Sequence, residues 1–396
     1  MGFLDKVKEA GKAAAKGGIA MAAHSYGVVT GGKYNLCKIS MNSTFDTLTF
    51  IKLTSIEGTH VIKDDIQTFT LRKGNDSTFF LEIIFNNGEK SDVMLKEDNV
   101  NNGALEVSIK GKDSSKVVAS SAHVDTLGLM VRSIKGDGTL ALTTLGGPIT
   151  ATLDGEYCKV YTRDNKVYTG TILSTSPATH VYADANSKSR SIDNLQVRLD
   201  EKVKSAKDVK DLGIDNGDIV CYDPKFIITD SGFLKTRFID DKASVVVLLM
   251  LLDYIKKNNI TLKYDTKIYF VVYEEVGHGA SIIDPSISEF VTIDMGCVGL
   301  DLAGNEYAVS ICAKDSGGPY DYELTTHLIN LAKENKLNYT VDIFPYYGSD
   351  VGAARRAGVD FKGALLGSGV SASHGMERTH IEGLENTLKL IYLYLA

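Results

Sequence analysis

The sequence predicts an α/β protein: a mixed sheet flanked by helices, with an inserted β-barrel domain, preceded by a small N-terminal β-rich domain. Two observations predict this class. From residue 227 onward, apolar strands such as KIYFVVYEE and EFVTIDMG alternate with helical segments such as ASVVVLLMLLDYIKKN, a pattern typical of a sheet covered by helices. Before that point, short segments rich in Thr, Ile and Leu follow one another between Gly, Asn and Asp turns, which indicates antiparallel β-structure.

The order of these segments predicts three units. Residues 1–96 form an N-terminal helix plus a small β-domain, residues 97–128 and 227–396 form the main α/β domain, and residues 129–226 form the inserted barrel. A chain of 396 residues suits such a division, since domains commonly have about 100–200 residues. The first unit is similar to small pleckstrin-homology-like β-domains. It has no cluster of His, Asp or Glu with ligand spacing, so we interpret it as a binding module.

Composition argues against several classes of protein. The net charge is −7, whereas nucleic-acid-binding proteins are commonly basic. No apolar run has the roughly 18–20 residues of a membrane helix. The N-terminal helix carries Asp5 and Glu9, where a secretory signal would be purely basic, and we do not expect it to contact a membrane. The five cysteines are scattered and odd in number, which indicates reduced thiols in a cytoplasmic protein.

Six potential metal-site residues lie after predicted strands, at a helix start or in a loop. They are His123, Asp240, Glu274, Glu275, Asp294 and His374. Open α/β sheets place their sites beyond the carboxyl ends of strands. Two divalent cations roughly 3.5–4 Å apart need carboxylates, imidazoles and open positions for water, and zinc or cobalt accepts such ligands. A further carboxylate must accept the proton of the attacking water. The pattern therefore predicts a two-metal hydrolase.

The motifs around these residues resemble one family of enzymes. They are SAHVDTLGLMV, RFIDDKASVVVLL, YEEVGHGAS, VTIDMG, GSDVGAA and SHGMERTHIEGLENTLKLI. Together, over residues from about 104 to 396, they resemble the tetrahedral (TET) dinuclear metallo-aminopeptidases, which include glutamyl and leucyl aminopeptidases. The resemblance implies an aminopeptidase that cleaves N-terminal residues from short peptides with a hydroxide that bridges two divalent metals. It also implies dimerisation through the barrel and assembly of the dimers into a hollow dodecamer. The family normally begins with helices, whereas residues 1–96 stand in their place here.

The resemblance also implies a role for each site residue. Asp240 is the bridging carboxylate, Glu274 is the general base, and Asp125 orients the first imidazole. The metal ligands are His123, Asp240, Glu275, Asp294 and His374.

Some roles stay open at this level. Asp350 and Ser349 either bind the substrate, with Asp350 holding its free amine, or cap the following helix. Asp240 and the aspartate after it also fit a helix cap. His380 is an alternative to His374 as a ligand, and we interpret His278 as a loop residue near the site.

Other functions fit part of the pattern. A different two-metal amidohydrolase or a carboxypeptidase would share the metals, and Arg355 and Arg356 would then bind a substrate carboxylate. A glycosidase would use a pair of carboxyl groups without metals, so a chelator would leave its activity intact. An inactive hydrolase-fold scaffold protein would lack a ligand or the base, and every expected residue is present in the sequence.

Overall fold

The computed structural model describes residues 66–73, 78–85, 90–96 and 104–396. The predicted N-terminal helix and the first strands of the predicted β-domain lie outside the described residues. In the remaining part of that domain, three antiparallel strands pair in chain order. These strands are Ile66–Lys73 (β1), Thr78–Phe85 (β2) and Lys90–Lys96 (β3).

A closed barrel follows the first two strands of the central sheet. Those two strands are Leu105–Ile109 (β4) and Asp113–His123 (β5). The barrel strands are Gly128–Ile134 (β6), Leu140–Leu145 (β7), Tyr157–Tyr161 (β8), Val167–Ser174 (β9), Leu195–Leu199 (β10) and Ile219–Tyr222 (β11). They close in the order β10-β7-β6-β11-β8-β9. Short helix Ala206–Asp211 (α1) precedes the last strand. Leu129, Val160 and Val197 fill the interior, because alternate residues of each strand point inward. The predicted inserted barrel is confirmed.

The rest of the chain completes the α/β part. Its strands are Ile227–Ile228 (β12), Phe233–Thr236 (β13), Tyr264–Val271 (β14), Ile287–Ile293 (β15), Gly296–Cys297 (β16), Val309–Asp315 (β17), Gly318–Pro319 (β18), Tyr339–Ile343 (β19), Lys362–Val370 (β20) and Glu377–His380 (β21). Its helices are Ile239–Lys257 (α2), Tyr322–Glu334 (α3), Asp350–Arg356 (α4) and Ile381–Leu395 (α5). Short 3₁₀ turns lie at Thr150–Thr152, Ile192–Asn194 and Glu274–Val276.

The central sheet is mixed, with the order β18-β17-β20-β15-β5-β14-β4, and β16 and β19 pair with β20 and β17. Strand β5 is parallel to both β14 and β15, so the carboxyl ends of these three strands meet at one edge. A separate three-stranded sheet has the order β12-β13-β21. Its last strand, β21, begins three residues after His374, the second predicted histidine ligand.

Helices cover both faces of the central sheet. Val118 of β5 and Ile268 of β14 pack in one core cluster with α2, α3 and α5. Their neighbours Ala119 and Tyr269 pack in another cluster, which includes Val351 of α4. Successive side chains of a strand point to opposite faces, so the two clusters lie on opposite sides of the sheet. The predicted α/β class is confirmed.

Two further features concern compartment and membrane. Within the part of the chain that the structure describes, none of the helices is both long and apolar enough to cross a bilayer. Cys158, Cys221, Cys297 and Cys312 form no disulfide.

Candidate metal centre

His123 is the last residue of β5 and is almost completely buried. Its Nδ1 lies 3.2 Å from the carbonyl oxygen of Asp125, and its Nε2 lies 3.0 Å from Oδ1 of Asp240. A carbonyl oxygen only accepts hydrogen bonds, so Nδ1 carries a proton and Nε2 is directed at the carboxylate. Burial alone would lower the pKa of His123, but the hydrogen bonds to Asp125 and Asp240 outweigh it and raise the pKa well above its usual range. The surroundings of Nε2 therefore favour positive charge.

Asp240 lies between the two predicted histidine ligands. Its Oδ1 faces His123, and its Oδ2 lies 3.5 Å from Nε2 of His374. Asp240 and Asp241 have non-helical backbone angles at the start of α2, and the N-cap position is Phe238. The carboxylate of Asp240 is thus directed across the sheet edge, and the structure does not support its reading as a helix cap.

His374 lies in the loop between β20 and β21 and is about one-third exposed. Its Nδ1 lies 2.9 Å from the carbonyl oxygen of Gly147, and its Nε2 lies 3.7 Å from Oε2 of Glu275. Burial would lower the pKa of His374, but the interaction with Asp240 outweighs it and the pKa rises to about 10. As with His123, one ring nitrogen binds a backbone carbonyl and the other faces carboxylates, which is the usual arrangement of a metal-ligating histidine.

Glu274 and Glu275 follow β14 in a 3₁₀ turn. Their backbone N–H groups donate to the two carboxylate oxygens of Asp125, at 3.3 and 3.2 Å. Oε2 of Glu274 lies 3.8 Å from Nε2 of His123. Oε1 of Glu275 is buried without a hydrogen-bond partner. Burial raises the pKa of both glutamates well above the usual range. Their charged forms are therefore unfavourable unless a cation lies nearby.

Asp294 follows β15 and completes the cluster. Its Oδ1 accepts a hydrogen bond from the N–H of Met295 at 2.6 Å, and burial raises its pKa to about 7. Three overlapping sets of side chains have ligand atoms within 4.8 Å of one another. They are His123 with Glu274 and Asp294, His123 with Asp240 and Glu275, and Asp240 with Asp241 and Asp294.

The charges of the cluster test whether a divalent cation fits. The acidic side chains at this edge are Asp125, Asp240, Asp241, Glu274, Glu275, Asp294, Asp350 and Glu377, and all of them are largely buried. Among the described residues, Lys242 and the two imidazoles face them, and burial lowers the pKa of Lys242 to about 8. Buried carboxylates are costly without compensating positive charge. The excess of carboxylates and the oxygen and nitrogen donors therefore fit a bound divalent cation.

Comparison with known proteins agrees with this geometry. A family model described as M42 glutamyl aminopeptidase matches residues 103–390. The protein YhfE of Bacillus subtilis (strain 168) is 46% identical over 74% of this chain and 85% of its own length. This chain belongs to the M42 peptidase family. The lysyl aminopeptidase of Pyrococcus furiosus is 27% identical over 44% of this chain and 50% of its own length.

A solved structure shows the same fold. The TET1 peptidase of Pyrococcus horikoshii superposes with a TM-score of 0.65 at 23% identity, over 74% of this chain and 87% of that chain. The match supports the fold of this M42 peptidase.

The M42 site contains residues that the sequence did not predict. Glu377 is buried, and its Oε1 accepts the N–H of His374 at 2.9 Å while its Oε2 accepts the N–H of Asp240 at 3.1 Å. Asp241 is fully buried, and its Oδ2 accepts the N–H of His123 at 3.1 Å. The available signals were an acidic residue three positions after a predicted histidine ligand, and the Asp-Asp pair itself.

The alternative ligand, His380, does not belong to any of the groups of described residues that could hold a metal ion. Nδ1 of His380 accepts the N–H of Glu382 at 3.2 Å, and its Nε2 lies 2.8 Å from the carbonyl oxygen of Ser231. Both ring nitrogens are thus engaged at the start of α5. His278 is exposed in the loop after Glu275.

Asp350 and Ser349 are both buried near the M42 site. Asp350 accepts a hydrogen bond from the hydroxyl of Ser121 at 2.9 Å and from the N–H of Ala280 at 2.9 Å. Ser349 occupies the N-cap position of α4 without a capping side-chain bond, and its Oγ lies 2.7 Å from the hydroxyl of Tyr320. The two carboxylate oxygens of Asp350 therefore bind the chain itself.

Proposed function

We propose that this M42 peptidase is an aminopeptidase that hydrolyses the N-terminal peptide bond of short peptides with the help of two divalent cations. The observation that carries the proposal is the position of Asp240, which presents one carboxylate oxygen to Nε2 of His123 and the other to Nε2 of His374. A carboxylate between two imidazoles is what a bridging ligand of two cations requires. Membership of the family supports the aminopeptidase activity.

We assign each cation three protein ligands. His123, Asp240 and Asp294 would hold one, and Asp240, Glu275 and His374 would hold the other. The 3.7 Å separation of Glu275 and His374 supports the second set. When bound, such a pair of zinc or cobalt ions lowers the pKa of water and polarises a carbonyl group. Asp125 supports both sets, because it contacts His123 and holds the backbone of Glu274 and Glu275.

Glu274 is the general base in this proposal. The side chain lies beside His123 without belonging to either set of three ligands. It takes a proton from the attacking water as the oxygen of that water bonds to the carbonyl carbon, and it gives the proton to the nitrogen of the leaving amine. The bond between that carbon and that nitrogen then breaks, which releases the N-terminal amino acid.

Substrate recognition follows from charge. The excess of buried carboxylates favours a cationic free amine over a carboxylate. The bonds of Asp350 to Ser121 and Ala280 favour a part in shaping the loop around the site, and direct contact of Asp350 or Ser349 with the substrate stays a prediction. Arg355 and Arg356 are exposed on α4, and Arg355 lies over the ring of Phe361 at 5.7 Å, which gives no support to the carboxypeptidase alternative.

We also propose a homo-oligomer, with dimers formed through the barrel and a dodecamer built from them. The TET1 peptidase of Pyrococcus horikoshii is described as assembling into a tetrahedron or a large octahedral shell, and this supports the proposal by analogy. The free cysteines agree with a cytoplasmic location.

The test measures hydrolysis of aminoacyl chromogens that differ in side chain, with and without a chelator, for the wild type, Glu274→Gln and the exposed control Glu201→Gln. We expect chelation to abolish turnover and Glu274→Gln to lower kcat by about 10³-fold, because general bases commonly contribute 10²–10⁴-fold. The metal content of Glu274→Gln should stay near that of the wild type. Glu201→Gln should behave as the wild type. Near-normal turnover of Glu274→Gln would show that another group is the base, and activity that survives chelation would exclude the two-metal proposal.

A further inference from the structure

The loop that carries His374 is bonded to the barrel. The N–H of Ile149 donates to the carbonyl oxygen of His374 at 2.9 Å, and Nδ1 of His374 lies 2.9 Å from the carbonyl oxygen of Gly147. Both partners belong to the segment that leads from β7 into the 3₁₀ turn Thr150–Thr152. The backbone of His374 has a φ of +62°, a left-handed conformation that a residue other than glycine keeps when its surroundings hold it there. The direction of this imidazole therefore depends on the barrel segment beside it.

The buried side chain of Arg237 joins the same turn to the same loop. Arg237 lies between β13 and α2, three residues before Asp240, and is 2% exposed. Its Nη1 donates to the carbonyl oxygen of Gly375 at 3.1 Å and to the hydroxyl of Thr152 at 3.1 Å. Its Nη2 donates to the carbonyl oxygen of Thr152 at 2.7 Å. The guanidinium group thus holds the residue that follows His374 against the end of the barrel turn.

The guanidinium group of Arg237 is itself fixed by the barrel. Its Nη2 lies 3.3 Å from Oε1 of Glu156, and its Cζ lies 5.2 Å from the centre of the Tyr222 ring. Lys225 contacts the same oxygen of Glu156 at 2.6 Å, so this buried carboxylate has two basic partners. A guanidinium group is rigid and planar and bonds to several acceptors in a fixed geometry. Arg237 therefore sets the distance between the barrel turn and the His374 loop.

We propose that Arg237 is a positioning residue, which keeps Nε2 of His374 directed at one of the two cations by fixing the His374 loop to the barrel. The inference rests on the proposed two-metal function. Nε2 of His374 lies 3.5 Å from Asp240 and 3.7 Å from Glu275, the residues with which it forms the second set of ligands. A shift of the loop would therefore open this set.

The structure predicts that the two cation sites respond differently to the loss of Arg237. His123, which belongs to the other set of ligands, is the last residue of β5 and is held by the central sheet. The shared ligand Asp240 donates its N–H to Oε2 of Glu377 at 3.1 Å, a bond that the substitution of Arg237 leaves in place. The affinity for the cation on the His374 side should fall, and the affinity for the cation on the His123 side should be kept.

Arg237→Gln and the matched control Arg190→Gln test the proposal. Arg190 also binds a carboxylate and backbone carbonyl groups, but its partners Asp154, Lys188 and Ala185 all lie within the inserted barrel. The metal-free full chain is titrated with Zn²⁺ in the presence of a competing chelator. For Arg237→Gln, we expect one of the two affinities to fall by about 10–100-fold, as is usual for groups that orient ligands, and the other to stay within about threefold. Arg190→Gln should keep both affinities.

Hydrogen exchange followed by mass spectrometry gives a second measurement. The N–H of Ile149 donates to the carbonyl oxygen of His374, so its exchange rate reports the contact between the barrel and the loop. In the zinc-loaded proteins, we expect this N–H to exchange faster in Arg237→Gln than in the wild type. Arg190→Gln should keep the wild-type rate at this position.

Arg237→Lys separates geometry from charge. It keeps a positive charge beside Glu156 but replaces the planar group by a single nitrogen, so we expect it to restore part of the lost affinity. Full restoration would attribute the effect to charge and would overturn the positioning role. If Arg237→Gln does not fold, the comparison of Arg237→Lys with Arg190→Gln makes the same test, with a smaller selective loss expected.

Three other outcomes would overturn the proposal. They are wild-type affinities in Arg237→Gln, an equal loss at both cation sites, and the same selective loss in Arg190→Gln. A wild type that binds fewer than two zinc ions per chain would refute the proposed function and this inference with it. A failure at Arg237 alone would leave the proposed function intact.

Discussion

Strand β14 is associated with two groups of acidic side chains, and their environments differ. Within the strand, Nζ of Lys267 lies 2.5 Å from Glu106 and 2.8 Å from Asp284. Burial would raise the pKa of Glu106, but the hydrogen bonds from Lys267 and from side chains such as Ser108 outweigh burial and leave the pKa below the usual range. Past the end of the strand, burial raises the pKa of Glu274 and Glu275 well above the usual range. Strand β14 thus lies beside acids that its lysine neutralises, and it is followed by acids whose charged forms need a cation.

The difference teaches how to recognise a metal site in this protein. Clustered carboxylates alone are not informative, because Glu106 and Asp284 cluster as well. The metal centre differs in two ways. It has more carboxylates than buried basic groups beside them, and its two histidines direct Nε2 into the cluster while Nδ1 binds a carbonyl group. We therefore expect substitutions at the metal centre to change metal binding and turnover, and substitutions beside Lys267 to change stability alone.

The largest expected effect concerns the second imidazole. His374→Ala should remove one ligand of one cation, so we expect the metal content to fall towards one ion per chain. We expect kcat/KM to fall by more than about 10²-fold, because the lost cation would stabilise the transition state. The metal-free variant should unfold within about 0.5 kcal/mol of the metal-free wild type, because the side chain is about one-third exposed. Elemental analysis, kinetics and urea unfolding measure the three quantities.

His380→Ala is the matched control. That ring accepts the N–H of Glu382 at the start of α5, so its loss should cost about 1 kcal/mol of stability, which is typical of an N-cap, and leave the metal content unchanged. If His380→Ala loses metal and His374→Ala keeps it, the choice of ligand made here is wrong.

Much of the site could be predicted because its ligands end strands that are visible as apolar runs. His123 ends such a strand, Glu275 and Asp294 each follow one, and parallel pairing brings the strand ends together. The same runs indicated the barrel and the helices. The supporting residues were missed for a physical reason: Asp241 and Glu377 act by accepting backbone N–H groups of residues that are distant in the sequence. The sequence shows that Glu377 lies three positions after His374 and that Asp241 follows Asp240, but neither spacing identifies the N–H groups that these side chains accept.

The short strands β12, β13 and β21 show no clear alternation of polar and apolar residues, and their pairing depends on tertiary contacts.

A smaller effect should come from Glu377, which supports the ligands without binding a cation. Its two oxygens accept the backbone N–H groups of His374 and Asp240. Glu377→Gln keeps one acceptor and turns an amide NH₂ towards the other N–H, so one of the two ligands should shift. We expect metal affinity to fall by about 10–100-fold, as is usual for groups that orient ligands, with kcat restored at saturating metal. Titration with a competing chelator measures the affinity, and kcat that stays low at saturating metal would assign Glu377 a direct catalytic part.

The smallest expected effect lies at Lys267. There the comparison predicts that the stability of the protein depends on pH and does not depend on bound metal. Lys267 lowers the pKa of Asp284 to about 2. A lowered pKa means that the folded state favours the charged form, so the ion pair stabilises the protein above the ordinary aspartate pKa of about 3.9 and loses this contribution as the pH falls through about 2. Asp284→Asn should therefore cost about 0.5 kcal/mol at pH 7, because the pair is partly exposed to solvent. The difference from the wild type should narrow as the pH falls below about 4.

Urea unfolding of Asp284→Asn, Lys267→Met and the double variant from pH 7 downwards measures this coupling, with metal content and kcat followed in parallel. The double-variant cycle separates the Asp284 pair from the bond between Lys267 and Glu106, which Asp284→Asn leaves in place. If either single variant loses metal or turnover while remaining folded, the lysine-neutralised acids and the metal-binding acids form one coupled network. The distinction between the two groups along β14 would then fail, because a lysine pair at the middle of the strand would be shaping the cation site at its end.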